Sequence, residues 1–501
     1  MTRPAIHYNG RLAACSAAAL LGGLVYLNAL HNPFVYDDYH TVVANASITD
    51  LTNVRAIVLG ALTRPIVNFS YAADRAVWGP RPFGFHVTSV LLHMLNVVLL
   101  FQLARQLGRN TLAAFAAAAL LAVHPMMTEA VGYISGRSEV LCATFFMLAL
   151  MAGRRWAQGD GLRWGALTAG LWLAALATKE SAAMFPLVFL IYDWFSATDA
   201  DAARRRRVLT IHAPLIGFAF VAGLVRLAIF ARIEYPGQAG VHWNYVLLEL
   251  DVIRRYVWML VVPANQALFH DVARIGLFDL RALLAITVVG AMVAGAFKLR
   301  RVDWLSAVGL LWFLLVLAPS SALIALDQGE PMAEHRIYLA SCGIFLAVGS
   351  AIAWFGERLT ASADGNSRRR AWAGAAGFAA VLLSFGLGTL VRNAVWRDPV
   401  TLWRESVDLA PAHDRPRLLL GEALQDAGRR DEAMEQYRIA IRLRPTAATG
   451  YVKLGQCLAE IGKFGQAREQ FLKAIDVSPR DVSAQRSLTV LAEMETRLQL
   501  Q

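Results

Sequence analysis

The sequence predicts an all-α fold: a polytopic membrane helical bundle of about eleven transmembrane helices, followed by a short tetratricopeptide-repeat solenoid. Three observations lead there. The 501 residues are 57% apolar and 17% charged, with a mean hydropathy of +0.45, which is too apolar for a soluble chain of this size. Uncharged runs of spanning or near-spanning length recur along the first four fifths of the chain. The last fifth is polar and carries a repeat with a fixed period.

The first run, Leu12 to Leu30, has the length of a membrane span and lacks a convincing small-residue cleavage site, so it reads as a retained first helix. Further runs follow at Pro82 to Ala104, Asn110 to Thr128, Val208 to Val225, Trp304 to Leu326, Ile337 to Gly356 and Ala371 to Val391. Charge then orients them. Residues 392–501 hold 17 Lys and Arg against 15 Asp and Glu, so they account for only +2 of the net +11. The excess sits between apolar runs: Arg105 and Arg109; Arg154, Arg155 and Arg163; Arg204 to Arg207; Lys298, Arg300 and Arg301; Arg368 to Arg370. Such clusters mark cytoplasmic loops under the positive-inside rule, and a nucleic-acid partner is not needed to explain the charge.

Requiring an even number of crossings between these clusters gives eleven spans, at about 12–30, 84–104, 111–128, 137–153, 162–180, 181–197, 208–230, 277–297, 302–322, 336–356 and 371–391. Val246 to Pro263 is interrupted by Glu249, Asp251, Arg254 and Arg255. It reads as an amphipathic helix on the outer interface, the alternative being a full span. The amino terminus then lies inside. The outer face receives the loop after the first span, the segments HPMMTEAVGYISGR and TKES, the loop Ser321 to Arg336 and the carboxy-terminal residues 392–501.

Within that tail, Leu420, Gly421, Ala433, Tyr437, Ala440 and Pro445 recur 34 residues later as Leu454, Gly455, Ala467, Phe471, Ala474 and Pro479. This is the tetratricopeptide pattern, in which small residues let paired helices approach and Pro ends the second helix. Trp403 and Pro411 extend it backwards as a partial repeat with a helix at Thr401 to Leu409, and residues 482–497 read as a capping helix. Such repeats present a concave face to a protein or peptide; the alternative is a self-contained stabilising or dimerising module. The division is therefore 1–391 for the membrane domain and 392–501 for the repeat domain.

Motifs for soluble chemistry are missing. Cys15, Cys142, Cys342 and Cys457 are scattered without a CxxC or Cys/His pattern, and no phosphate-cradling glycine loop or GxSxG stands in the chain. What remains is polar residues at the outer ends of apolar runs. Asp37 and Asp38, in HNPFVYDDYH, are adjacent carboxylates where the first helix leaves the bilayer, a costly place for charge and a candidate acid/base site. The competing reading is a solvated turn whose Asp caps the next segment.

Arg64 in LTRPIVNFSY, Glu129 and Arg137 in HPMMTEAVGYISGR, Lys179 in ATKES, and His335 and Arg336 in AEHRIYL complete the set. Singly, an intramembrane Arg or His (His86, His93 and His124 among them) is more often a snorkelling or helix-bonding residue than a catalyst. Together, Arg64, Arg137, Lys179 and Arg336 suit a phosphate held near lipid. Glu129 is a substrate-site candidate that could equally pair with Arg137 or cap the following helix.

The ordered combination of VYDDY, HPMMTEAVGYISGRSEVL, TKES, EHRIYLAS and the repeat tail resembles the transmembrane and tetratricopeptide-repeat-containing O-mannosyltransferases and their bacterial relatives, of the GT-C class of membrane glycosyltransferases. The resemblance covers nearly the whole chain, but with two and a half repeats in place of the long arrays of the eukaryotic members. It implies transfer of a sugar, with inversion, from a polyprenyl-phosphate donor to a hydroxyl, in a protein or peptide acceptor, at the outer face of a bacterial inner membrane. The chemistry of the residues agrees. A lipid-phosphate leaving group needs no nucleotide loop, Asp37 or Asp38 serves as base, and Arg137, Lys179 and Arg336, with Arg64 and His335, stabilise the departing phosphate. No cofactor is required; a divalent metal bridging Asp37, Asp38 and Glu129 fits the residue types without being demanded by a monophosphate donor. Two other classes compete: a non-catalytic membrane anchor presenting repeats to an envelope assembly, and a transporter of lipid-linked sugars.

Overall fold

The computed structural model describes residues 4–196, 201–229, 232, 239–241, 244–273, 275–320, 324–326, 330–361 and 367–499. Nearly every described element is helical; the exception is a three-residue antiparallel ladder pairing Ala239–Val241 with Ile324–Leu326. Contacts divide the chain into two compact units, one of residues 1–266 and 272–397 and the other of residues 267–271 and 398–501.

In the first unit, seven helices among the described residues are long and apolar enough to cross a membrane: Gly10–His31, Pro82–Gln106, Ile134–Ala157, Asp201–Ile229, Leu280–Leu299, Glu334–Arg358 and Arg368–Val395. The chain is a multi-pass integral membrane protein. An eighth candidate is the pair Thr111–Val123 and Pro125–Gly132, bent by 59°. The remaining three expected spans fall on shorter helices, Leu162–Leu176, Phe185–Ser196 and Trp304–Leu317. Asn244–Val261 forms one helix whose buried Leu248, Val252, Tyr256 and Met259 lie on one side, with buried Asp251 held by Arg254 and Arg255. The helix does not show the charged solvent-facing side of a simple amphipathic pattern: Glu249 and Asp251 are buried, whereas Val246, Trp258 and Val261 are exposed.

Small residues explain which helices are central. Thr111–Val123 carries seven alanines and is buried almost all round. A Cβ on Gly349 would press against the backbone of Ala113 and Ala117, and Gly309 and Gly343 face each other so closely that neither tolerates a Cβ. In contrast, the apolar windows of Asp201–Ile229 and Arg368–Val395 are only 11% buried; in a bilayer such surface faces lipid.

The residues between the first two spans depart from expectation. Instead of one long loop they contain the helices Val54–Gly60 and Pro65–Trp78. Pro65 opens the second at a position that needs no backbone donor. Val67, Asn68, Tyr71, Ala72 and Asp74 form its buried stripe at helical spacing.

In the second unit, Pro399–Leu409 precedes two helical hairpins, Asp414–Asp426 with Arg430–Leu443 and Ala448–Glu460 with Phe464–Val477, and Val482–Gln499 follows. The period-34 residues do what the pattern requires. Gly421 lies under the Tyr437 ring and Gly455 under the Phe471 ring. Gly428 and Gly462 turn each hairpin at φ +76° and +77°.

Candidate functional site

The site is built at breaks in helices. In HPMM, Pro125 forces His124 into extended backbone at φ −72°, ψ 126°, and the His124 ring accepts the Met126 N–H at 3.2 Å. The chain restarts as the short helix Thr128–Gly132, passes through Ile134–Gly136, and enters Arg137–Ala157. Gly136 is needed at this return, because a Cβ there would collide with the Glu129 carbonyl. A second break, Glu334–Ile337, leads into Tyr338–Ala361. Glu129 joins the two breaks: its Oε2 accepts the Glu334 N–H at 2.9 Å and its Oε1 lies 2.5 Å from His335 Nδ1. Its partner is therefore His335 and not Arg137.

The acidic pair divides sharply. Asp38 is fully buried: Oδ1 accepts the N–H and the hydroxyl of Ser135 at 2.8 and 2.7 Å, and Oδ2 accepts the Val35 N–H at 3.1 Å. Burial, opposed by these hydrogen bonds and helped by the neighbouring Asp37 charge, pushes the Asp38 carboxyl up to about 7. Asp37 is exposed, and among the described residues its carboxylate has no hydrogen-bonding partner. Its backbone is fixed instead, the N–H by the Tyr133 hydroxyl at 3.1 Å and the carbonyl by the Thr41 hydroxyl at 2.9 Å. Tyr36, at φ +51°, turns the chain and donates its hydroxyl to Glu330 at 2.8 Å. Arg336 in turn donates to the Glu330 and Pro331 carbonyls at 3.0 and 3.3 Å. The acidic loop and the EHR segment are thus tied to each other through Glu330.

Three of the four expected cations gather there. The charges of Lys179, Arg64 and Arg336 all act on Glu180, and the same three act on His335. Arg64 is partly exposed and pairs with Glu180 at 3.4 Å. Lys179 is buried and pairs with Glu139 at 3.2 Å.

Arg137 departs from the expectation that it faces a phosphate. It is fully buried, with Asp74 at 2.6 Å, and donates to Ser89, Ser70 and the Phe85 carbonyl at 3.1, 3.3 and 2.6 Å. The guanidinium also lies over the Tyr71 and Phe85 rings. These hydrogen bonds and the Asp74 ion pair hold the helices Pro65–Trp78, Pro82–Gln106 and Arg137–Ala157 together, a buried charge that persists because it is paired. His86 and His93 are also helix-bonding residues, to the Asn32 carbonyl at 3.0 Å and the Tyr338 hydroxyl at 2.7 Å. Among the described residues no three His, Cys, Asp or Glu side chains form a metal-binding group, so Asp37, Asp38 and Glu129 are not assembled as a bridging set.

Sequence reasoning missed Asp74, Ser135, Glu139 and Glu330. A carboxylate inside a buried helical stripe, as Asp74 is, carries a readable demand for a cation; which cation answers it is a tertiary matter.

Comparisons with known proteins agree in kind. A family model described as dolichyl-phosphate-mannose-protein mannosyltransferase matches residues 65–227, and one described as tetratricopeptide repeat matches residues 418–482. The chain is similar to the protein O-mannosyl-transferase Tmtc1 of Drosophila melanogaster, 27% identical over 88% of this chain and 62% of the relative. It is likewise similar to the protein O-mannosyl-transferase TMTC1 of Homo sapiens, 26% identical over 87% and 56%. The chain spans about three fifths of the length of the curated relatives it matches. Among solved structures, ArnT from Cupriavidus metallidurans, crystallised with undecaprenyl phosphate, superposes with a TM-score of 0.41 at 13% identity, over 88% of this chain and 80% of that one.

Proposed function

We propose that the chain is an integral-membrane glycosyltransferase of the GT-C type that transfers a sugar from a polyprenyl-phosphate donor to a hydroxyl, with a protein or peptide as acceptor. The observation that carries the reading is the joining of an exposed carboxylate, Asp37, to a cation group of Arg64, Lys179 and Arg336 through the Tyr36–Glu330–Arg336 chain of hydrogen bonds. The names of the similar proteins and of the matching family model support the donor class.

In this reading the two carboxylates have different tasks. Asp37, exposed and unpaired among the described residues, takes the acceptor proton as the hydroxyl oxygen attacks the anomeric carbon. Asp38 fixes the loop through Ser135 and Val35 and so aims its neighbour. Attack from the side opposite the phosphate inverts the anomeric centre, and Arg64, Lys179 and Arg336 stabilise the charge gathering on the leaving phosphate. Lys179 and Arg64 already hold acidic partners, Glu139 and Glu180; these keep the cations in place in a partly dehydrated setting before substrate arrives. An eleven-span topology puts the loop, the cations and residues 392–501 on the outer face, the periplasmic side of a bacterial inner membrane, where the repeats meet the acceptor.

The test is purified protein in lipid with a panel of polyprenyl-phosphate sugars and mixed peptide acceptors, scored for release of polyprenyl phosphate. Release from one donor, dependent on acceptor, supports the reading. Release from none, with intact lipid binding, contradicts it.

A further inference from the structure

We propose that Tyr133 and Trp396 are positioning residues for the Asp37 carboxylate: Trp396 sets the Tyr133 ring, and Tyr133 sets the backbone from which the carboxylate projects. The inference rests on the glycosyltransferase reading above and adds to it the parts that aim the base. The carboxylate is exposed and has no hydrogen-bonding partner among the described residues, so its place is inherited from its own backbone. That backbone follows Tyr36 at φ +51°, a left-handed conformation that residues other than glycine hold only when their surroundings impose it. The Asp37 carbonyl bonds within its own loop, to Thr41. The Asp37 N–H instead goes to the Tyr133 hydroxyl at 3.1 Å, across 96 positions of chain. Among the described residues, that hydrogen bond is what ties Asp37 itself to the rest of the unit.

Tyr133 is placed in turn by Trp396. The two rings stack with centroids 5.5 Å apart and an interplanar angle of 26°, and both side chains are buried. The Trp396 indole N–H has no acceptor among the described residues. No hydrogen bond therefore fixes this ring, and its packed faces must.

The helix that leads into Trp396 is held as a support would be. Along its apolar window Arg368–Val395 is only 11% buried, yet its carboxy-terminal end is fastened by polar groups. The Thr389 hydroxyl donates to the Val123 carbonyl at 2.7 Å, and the Asn393 amide donates to the Val25 carbonyl at 3.0 Å. In return, the Asn28 amide donates to the Leu390 carbonyl at 2.8 Å and the Asn32 amide to the Asn393 carbonyl at 3.1 Å. Polar side chains inside a membrane bundle are costly unless bonded, and these stand where the last helix meets the chain that runs on from Asn32 into Asp37. The loop is thus held at its start by asparagines and at Asp37 by the stacked Tyr133, and a base held in one place reacts faster than one that wanders.

The test is the rate of polyprenyl-phosphate release by purified protein in lipid, with the best donor of a polyprenyl-phosphate sugar panel and a hydroxyl-bearing peptide. Tyr133→Phe, Trp396→Leu and Trp396→Phe are each measured in the native chain and in Asp37→Asn protein. Tyr133→Phe keeps the stacked ring and removes one neutral hydrogen bond; it should lower kcat about fivefold to tenfold with the donor KM unchanged. Trp396→Leu should lower kcat by at least about as much, and Trp396→Phe, which restores an aromatic face, should recover most of the loss. In Asp37→Asn protein, where no base is left to aim, the same substitutions should change the rate less than about twofold. Losses of full size in that background overturn the positioning role, as does Tyr133→Phe with the wild-type kcat, which decides the matter even where Trp396→Leu fails to fold. A wild type that releases polyprenyl phosphate from no donor overturns the glycosyltransferase reading and this inference with it.

Discussion

Replacing Asp74 by Asn separates the two possible roles of Arg137, helix pin or phosphate ligand. In the native chain the Arg137 guanidinium is fully buried, 2.6 Å from Asp74, with neutral acceptors at Ser70, Ser89 and the Phe85 carbonyl. Asp74→Asn keeps an acceptor for the Thr88 hydroxyl, now 2.6 Å from Oδ1, but removes the countercharge. An uncompensated buried charge costs about 3–5 kcal/mol. For a unit of this size that corresponds to a loss of about 4–6 °C in thermal midpoint.

The assay is thermal unfolding of detergent-purified protein followed by tryptophan fluorescence, comparing midpoints because a chain of two compact units need not unfold in one step. The double variant Asp74→Leu with Arg137→Met, which removes both charges, should recover most of the loss. Arg137→Met with an unchanged midpoint and a selective loss of polyprenyl-phosphate affinity would refute the reasoning, because it would place the guanidinium on a ligand.

Three further outcomes follow from particular contacts. The Asp38 carboxyl, at about 7 in the folded chain, titrates near 3.9 when unfolded; between these values the folded state holds the extra proton, so stability is full below about pH 4 and falls as pH rises through 7. Asp38→Asn should flatten that slope, read as midpoints at pH 4.5, 6 and 7.5, and should cost about 1–3 kcal/mol at low pH by turning an amide NH2 toward the Val35 or Ser135 donors. Asp37→Asn should leave the midpoint unchanged and lower the transfer rate about 10²- to 10⁴-fold, measured by release of polyprenyl phosphate. In the repeat unit, Gly455→Ala brings a Cβ to 2.5 Å of the Phe471 ring and should destabilise that unit by about 1–3 kcal/mol, seen as its own transition in calorimetry.

How much of this was legible in the sequence depended on the range of the forces involved. The repeat hairpins were readable because Gly421 with Tyr437, and Gly455 with Phe471, meet within one hairpin at a fixed period. The break after His124 was readable in part, since Pro125 dictates the backbone of the residue before it; the 59° bend that follows is set by packing. Spans could be located by composition, but the helix Pro65–Trp78 was hidden because its apolar stripe is interrupted by Asn68 and Asp74, whose partners lie elsewhere in the chain.

The site divides in the same way. Arg137 and Lys179 look alike in sequence, each a cation beside Glu or Ser at a helix end, and only tertiary partners give Arg137 to Asp74 and Lys179 to Glu139. Glu129 pairs with His335 across 206 positions of chain, which no local spacing announces. Asp37 and Asp38 are neighbours, yet the turn at Tyr36 sends one carboxylate into the fold and leaves the other at the surface.

The most direct measurement of the central claim is the initial rate of polyprenyl-phosphate release by purified wild-type protein, beside Asp37→Asn, with the best donor of a polyprenyl-phosphate sugar panel and a hydroxyl-bearing peptide acceptor. The account predicts acceptor-dependent release by the wild type and a loss of at least about a hundredfold in the variant, with donor binding retained. Equal rates in the two proteins would contradict it.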